Sequence, residues 1–102
     1  MACVSDEDPV TDNQAESRFE IRTGGHLAEL IYHRHRGRLA LIHTEVPEEL
    51  ERQGIGGRLV TAAVDRAARE GLTIVLFCPF ARDWLERHPD TADRIAIDWR
   101  AI

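Results

Sequence analysis

The hydrophobic period of the chain changes twice towards its middle, and this change constrains the fold more than any other feature. Residues 38–46 alternate apolar and polar side chains, as expected for a half-buried strand that ends before Pro47. Residues 55–70 instead place their apolar side chains on one helical stripe, and Gly71 is a suitable C-cap. Residues 72–78 form a continuous apolar run, which is typical of a strand buried on both faces. The order of strand, helix and strand predicts a βαβ crossover with parallel strands.

Two shorter alternating runs precede this crossover, at residues 18–22 and 27–33, and a glycine-containing turn signal follows each. Together with residues 38–46 they predict a three-stranded antiparallel meander. A short helix is expected at about residues 81–87, before the pair His88-Pro89. The predicted fold class is therefore α/β, a mixed sheet in which the meander leads into one crossover, with a second short helix.

Length and composition predict one small domain. The chain has 102 residues, and its first 17 are polar and acidic without apolar periodicity, so we expect a flexible tail over 1–17 and a single domain over 18–102. No apolar run approaches the roughly 18 residues of a membrane span, and the N-terminus lacks the apolar region of a signal peptide. With only Cys3 and Cys78, no disulfide framework is expected, which favours a cytoplasmic protein. The net charge of −5 argues against nucleic acid as the main partner, and we expect a monomer.

The segment from Gln53 to Arg58 joins a loop to the predicted helix and contains three glycines. Backbone N–H groups at a helix start lack intrahelical partners, and the helix dipole adds partial positive charge there. Glycine lets a phosphate approach the backbone closely, and Arg52 and Arg58 can add charge on either side. The pattern predicts a phosphate cradle, with a simple turn from loop to helix as the alternative. It is not a P-loop, which needs Lys and Ser or Thr after its second glycine.

Four motifs resemble, in the right order, a small and minimal family within the GNAT N-acetyltransferase superfamily. They are His43-Thr44-Glu45-Val46-Pro47, Arg52-Gln53-Gly54-Ile55-Gly56, Cys78-Pro79-Phe80 and His88-Pro89-Asp90. The resemblance covers roughly residues 18–93. The chain departs from the family pattern at Arg52, where the family has glycine.

This resemblance implies acetyl-CoA as co-substrate and transfer of its acetyl group to a primary amine whose identity the sequence does not give. It implies that the strand ending at Val46 and the strand over 72–78 splay apart, with pantetheine in the gap and the pyrophosphate on the glycine loop. The residues expected to bind the co-substrate are Val46, Arg52, Gln53, Gly54, Ile55, Gly56, Gly57 and Arg58.

Two residues near the end of the central strand are candidates for proton transfer from the amine. Glu45 can accept the proton directly or through water, and its alternative is a solvated carboxylate at a strand end. His43 lies two residues earlier and shares its sheet face, so it is a second candidate base. Its alternative is a partly buried histidine bonded to the backbone.

The group that protonates the departing thiolate is not evident. Where the resembling family often has tyrosine, this chain has Trp84, which carries no acidic hydroxyl and is expected to be a packing residue. Cys78 has three possible roles: a small packing residue, a thiol acid, or a nucleophile that accepts the acetyl group first. A non-catalytic acyl-CoA-binding or protein-interaction module of the same fold is therefore the alternative function.

The run from His33 to Arg38 is basic and lies at a predicted hairpin turn. His33 and His35 share a strand face, but no cysteine or nearby carboxylate completes a ligand set, so no metal site is expected. We interpret this run as a solvated hairpin.

Overall fold

The computed structural model describes residues 9–99, which form one six-stranded mixed sheet and three helices. In chain order the elements are β1 Thr11–Asn13, β2 Arg18–Thr23, β3 His26–His35, β4 Arg38–Glu45, a 3-10 turn Glu48–Leu50, α1 Ile55–Glu70, β5 Thr73–Leu76, α2 Pro79–Arg87, α3 Pro89–Ala92 and β6 Ala96–Asp98. The strands lie side by side in chain order. Strands β1 to β4 pair antiparallel, whereas β4, β5 and β6 pair parallel. The predicted meander and βαβ crossover are both confirmed.

Helix α1 has the predicted bounds because its local signals agree with its packing. Its apolar stripe is fully buried against the sheet, and Gly71 caps its end in the left-handed conformation with φ of 69°. The N–H of Leu72 then donates to the carbonyl of Ala67 over 2.9 Å. Since helix stability in proteins comes mainly from such an apolar face, this burial is what stabilises α1 on the sheet.

All three helices lie on one side of the sheet, which we call the inner face. Buried side chains of β4 and β5 on this face, such as Leu39 and Leu76, form a single core with residues of all three helices. We call the opposite side the outer face, and no helix covers it within residues 9–99. The expectation that the strand over 72–78 is buried on both faces is therefore wrong at its end, because Phe77 is 47% exposed.

The expected tail over residues 1–17 is wrong at residues 11–13, which form β1 and pair with residues 18–20 of β2. Residues 1–8, with Cys3, lie outside the described residues, as do residues 100–102. Strand β1 is too short to show an alternating pattern, and long-range polar contacts hold it. The Tyr32 hydroxyl donates to Asp12 over 2.6 Å, and Arg66 donates to the same carboxylate over 3.0 Å.

Tyr32 belongs to this polar cluster and not to the glycine loop. Arg66, itself buried on α1, donates to the tyrosine hydroxyl over 2.7 Å and to Glu70 over 3.1 Å. Burial of the phenol and its hydrogen bond to Asp12 raise the pKa of Tyr32 to about 12. The cluster ties β1, β3 and α1 together, so its role is structural.

Candidate functional site

Strands β4 and β5 part where the parallel pairing ends. Their last paired residues are Leu41 and Leu76, and the N–H groups of Phe77 and Cys78 both donate to the Leu41 carbonyl, over 3.0 and 2.9 Å. Beyond this point the chain of β5 turns into α2, whereas residues 42–45 of β4 continue with β3 alone as their neighbour. The edge of β4 that faces β5 is therefore open over its last four residues.

A β-bulge at Ile42 sets the direction of the last side chains of β4. Leu41 pairs with Tyr32 but His43 pairs with Ile31, so Ile42 has no partner of its own. The extra residue reverses the alternation: Thr44 now shares the inner face with Leu39 and Leu41, and His43 lies on the outer face. Simple alternation along β4 would instead put His43 on the same face as these leucines, and the sequence contains no signal for the bulge that prevents it.

His43 and Glu45 lie together on the outer face, as their spacing suggested. His43 Nε2 is 2.7 Å from Glu45 Oε1, a hydrogen-bond distance, and the two side chains are 57% and 64% exposed. Both groups are therefore accessible to a second molecule that approaches from the outer face.

On the inner side of the same strand end, Thr44 contacts Cys78. The Thr44 Oγ1 atom is 3.1 Å from the Cys78 Sγ atom, and Cys78 is a free thiol with 2% exposure. The pattern of the sequence did not single out Thr44, because its inward direction depends on the bulge.

Helix α1 begins with an unusual backbone. Gly54 is the N-cap with φ of 77°, and no side chain within residues 9–99 caps the helix. The first bond of the helix runs from the N–H of Arg58 to the carbonyl of Gly54, over 3.1 Å. The N–H groups before Arg58 therefore have no partner inside the helix. Arg52 has φ of 69°, a left-handed conformation that glycine adopts at lower energy.

The glycines at the start of α1 also make room for two aromatic side chains of α2. A Cβ atom at Gly56 would lie 2.6 Å from Phe80 Cζ, and one at Gly57 would lie 2.6 Å from Trp84 Nε1. Trp84 stacks on His88 with ring centroids 3.8 Å apart, so its expected packing role is confirmed. Close approach of α2 is a reason for these glycines that the sequence did not reveal.

A cavity of about 460 Å³ joins the start of α1 to the end of β4. It is lined by Thr44, Glu45, Val46, Leu50, Glu51, Arg52, Gly54, Ile55, Gly56, Gly57, Phe80 and Trp84. Most of the residues expected to bind the co-substrate are thus brought together. Two are not in this wall: Gln53 donates to the Glu49 carbonyl over 3.2 Å, and Arg58 lines an adjoining cavity of about 680 Å³. Cys78 and His43 also lie outside the wall.

The basic hairpin lies at the other end of β3 and β4. His33 and His35 stack with ring centroids 5.9 Å apart, as their shared face suggested. Within residues 9–99, no group of three histidine, cysteine, aspartate or glutamate side chains is arranged to hold a metal ion. None of the helices in this range is long and apolar enough to cross a membrane.

Comparisons with known proteins agree with this geometry. The sequence profile of the GCN5-related N-acetyl-transferase family matches residues 18–94. A similar solved structure is the NMR structure of a GCN5-like candidate N-acetyltransferase from Staphylococcus aureus, with a TM-score of 0.67 and 28% sequence identity. The match covers 90% of this chain and 92% of that one. The comparison with curated proteins found no match. The chain therefore belongs to the GCN5-related N-acetyltransferase family.

Proposed function

We propose that this protein transfers an acetyl group from acetyl-CoA to a primary amine. The observation that carries the proposal is that one cavity, of about 460 Å³, joins the start of α1 to Glu45 at the end of β4. Members of the GCN5-related N-acetyltransferase family generally use acetyl-CoA as co-substrate. This molecule has phosphates at one end and a thioester at the other. A cavity with backbone N–H groups at one end and Glu45, at the end of β4, at the other suits both ends of the molecule.

The start of α1 suits the pyrophosphate of the co-substrate. The N–H groups of Ile55, Gly56 and Gly57 lack helical partners, and the helix dipole favours an anion there. Arg52 lines the same cavity and supplies a full positive charge, and Arg58 stands one helical turn further on. The open edge of β4 over residues 42–45 offers backbone groups to the amides of pantetheine.

Glu45 is the residue that we assign to accept the proton of the amine. The neutral amine attacks the thioester carbonyl, the carbon–sulfur bond breaks, and the products are an amide and the CoA thiol. Glu45 Oε1 lies 2.7 Å from His43 Nε2, so the imidazole is the immediate neighbour of the proposed base at the strand end. A positioned base of this kind contributes roughly 10²- to 10⁴-fold to a rate.

The surroundings of Cys78 favour a packing role over a nucleophilic one. The thiol is almost completely buried, contacts Thr44, and does not line the cavity. A nucleophile needs access to the thioester, which this position does not give.

The experiment measures release of free thiol from acetyl-CoA with a mixed panel of primary amines. We expect turnover by the wild type, and we expect Glu45→Gln to reduce kcat at least about tenfold with unchanged acetyl-CoA affinity. Glu48→Gln is the matched control, because Glu48 is an exposed glutamate three residues away that does not line the cavity.

A non-catalytic acyl-CoA-binding module is the second candidate. Trp84, which forms part of the cavity wall, offers no acid to the leaving thiolate. Tight acetyl-CoA binding without thiol release above background, for every amine in the panel, would refute the enzyme and establish the module.

A further inference from the structure

We infer that the indole N–H of Trp84 donates a hydrogen bond to the pyrophosphate of acetyl-CoA, and that His88 holds the indole in the orientation that this bond needs. The inference rests on the proposed function and adds one side-chain donor to the backbone N–H groups at the start of α1. It also gives a role to the His88-Pro89-Asp90 motif, which the rest of the site does not use.

The nitrogen edge of the Trp84 ring faces the first turn of α1. A Cβ atom at Gly57 would lie 2.6 Å from Trp84 Nε1, compared with 3.0 Å from Cε2 and 3.2 Å from Cζ2. The backbone N–H of Gly57 is one of those without a partner inside the helix. The indole donor therefore lies beside backbone donors that we assign to the phosphates.

The indole N–H of Trp84 is open to a ligand. Among residues 9–99 it has no hydrogen-bond partner, and its nitrogen is not fully buried. Tryptophan carries one donor and no acceptor, and a covered indole usually satisfies that donor. A side chain needed only for packing does not require a polar edge towards the cavity. An anion at the start of α1 would satisfy the donor.

Trp84 stands where two cavities meet. Together with Gly54 and Gly57 it lines both the cavity of about 460 Å³ that reaches Glu45 and the adjoining cavity of about 680 Å³. In acetyl-CoA the pyrophosphate lies between the pantetheine and the nucleotide. A co-substrate whose thioester is near Glu45 therefore leaves the first cavity past the indole edge, and its phosphates follow its pantetheine there.

His88 limits the orientation of the indole. The rings of Trp84 and His88 stack with centroids 3.8 Å apart and an interplanar angle of 12°. His88 Nδ1 is 2.7 Å from the Trp84 carbonyl oxygen, and because a carbonyl only accepts, Nδ1 carries the hydrogen. Pro89 disfavours helical backbone at His88, which has φ of −128° and ends α2. His88 is therefore a positioning residue, since it acts through the indole.

Nuclear magnetic resonance can observe the indole N–H directly, because the chain has two tryptophans and each gives one indole resonance. The probes are acetyl-CoA and ADP, which has a pyrophosphate but no pantetheine. We expect both probes to move the Trp84 indole proton downfield, together with the amides of residues 54–57. Trp99 is the matched control, because it is 37% exposed and lies beside Arg82, so its indole should not move. Shifts of those amides with an unmoved Trp84 indole, for either probe, would overturn the inference.

Affinity measurements separate the N–H donor from the aromatic ring. Trp84→Phe keeps a ring and removes the donor, so calorimetry should show acetyl-CoA binding weakened at least about tenfold, because hydrogen bonds to charged groups are the stronger ones. Trp99→Phe should leave the affinity unchanged. His88→Ala should weaken binding at least about threefold in the wild type and have no effect in Trp84→Phe, because its action needs the indole. Unchanged affinity in Trp84→Phe, or an equal effect of His88→Ala in both backgrounds, contradicts the inference.

None of these measurements needs turnover. Failure of every amine to release thiol would refute the proposed transfer, while the indole resonance would still report whether Trp84 contacts the pyrophosphate. An acetyl-CoA titration that moves neither the indole nor the amides of residues 54–57 would overturn both proposals.

Discussion

Glycine at position 56 has two possible reasons: room for the ring of Phe80, or room for a phosphate at the start of α1. Replacing Gly56 by alanine tests the first of these. The new Cβ atom would lie 2.6 Å from Phe80 Cζ and 2.8 Å from Cε2, well inside the usual carbon–carbon contact distance of about 3.5–4.0 Å. Phe80 is 39% exposed and its ring is the end of a flexible side chain, so we expect the ring to swing outward while the helix stays in place.

The magnitude follows from the area that the ring would expose. A phenylalanine buries on the order of 200 Å², so swinging out half of the covered part exposes roughly 60 Å² and loses about 1.5 kcal/mol. Alanine gains about 0.5 kcal/mol over glycine in the first helical turn. Gly56→Ala should therefore destabilise the wild type by about 1 kcal/mol, but stabilise the Phe80→Ala variant by about 0.5 kcal/mol.

Urea unfolding of the two single variants, the double variant and the wild type measures this coupling, as a shift in midpoint at constant slope. Gly57→Ala is the matched control, because its Cβ meets Trp84 instead, and it should not couple to Phe80→Ala. An equal effect of Gly56→Ala in both backgrounds would refute the contact.

The same pair of backgrounds tests the phosphate cradle. If the backbone at Gly56 receives a phosphate, Gly56→Val should weaken acetyl-CoA binding at least about tenfold, or about 1.4 kcal/mol, with or without Phe80. Recovery of affinity in the Phe80→Ala background would assign the loss to the aromatic contact alone.

Three further variants test other parts of the structure. Arg52→Gly should raise the free energy of unfolding by about 1 kcal/mol, because residue 52 has φ of 69° and glycine adopts this conformation at lower energy. The same substitution should weaken acetyl-CoA binding, because the positive charge is lost. Unchanged affinity would contradict the proposed role of Arg52 in binding the pyrophosphate. Tyr32 is the only tyrosine, so near-ultraviolet absorbance should show it titrating at about 12 in the folded protein. Because the pKa of Tyr32 is raised on folding, its contribution to stability is present below about pH 10 and is lost as the pH rises through about 12. Tyr32→Phe should therefore reduce the loss of thermal stability over this pH range. Titration near pH 10 in the folded protein would refute the assigned environment. Cys78→Ala and Cys78→Ser should both keep wild-type turnover at saturating acetyl-CoA, and a large loss with intact affinity would contradict the packing role.

The sequence predicted the crossover because its signals are local. The stripe of α1, its cap at Gly71 and the apolar run of β5 each depend on spacings of a few residues along the chain. The family resemblance carried by the four motifs implies that the glycine loop lies near the end of β4, and one cavity is lined by residues of both.

The missed features depend on residues that are distant in the chain. Strand β1 has only three residues, and its contacts join Asp12 to Tyr32 and Arg66. The pattern of residues within β1 does not indicate these partners, which lie 20 and 54 positions further along the chain. A prediction from local sequence pattern therefore assigns residues 11–13 to a tail, because it does not include these distant contacts.

The sequence by itself determined the meander, the crossover and the position of the glycine-rich start of α1, since period, caps and glycines act over one or two turns of chain. Only the tertiary structure decided which way the side chains at the site point. The bulge at Ile42 arises from the pairing of β3 with β4, and it turns His43 outward and Thr44 inward. In the same way, packing of α2 on α1 gives Gly56 its contact with Phe80, and the grouping of all helices on one face leaves Phe77 exposed. A shift of one residue in a strand moves every later side chain to the opposite face, so the pairing between strands decides what a site can touch.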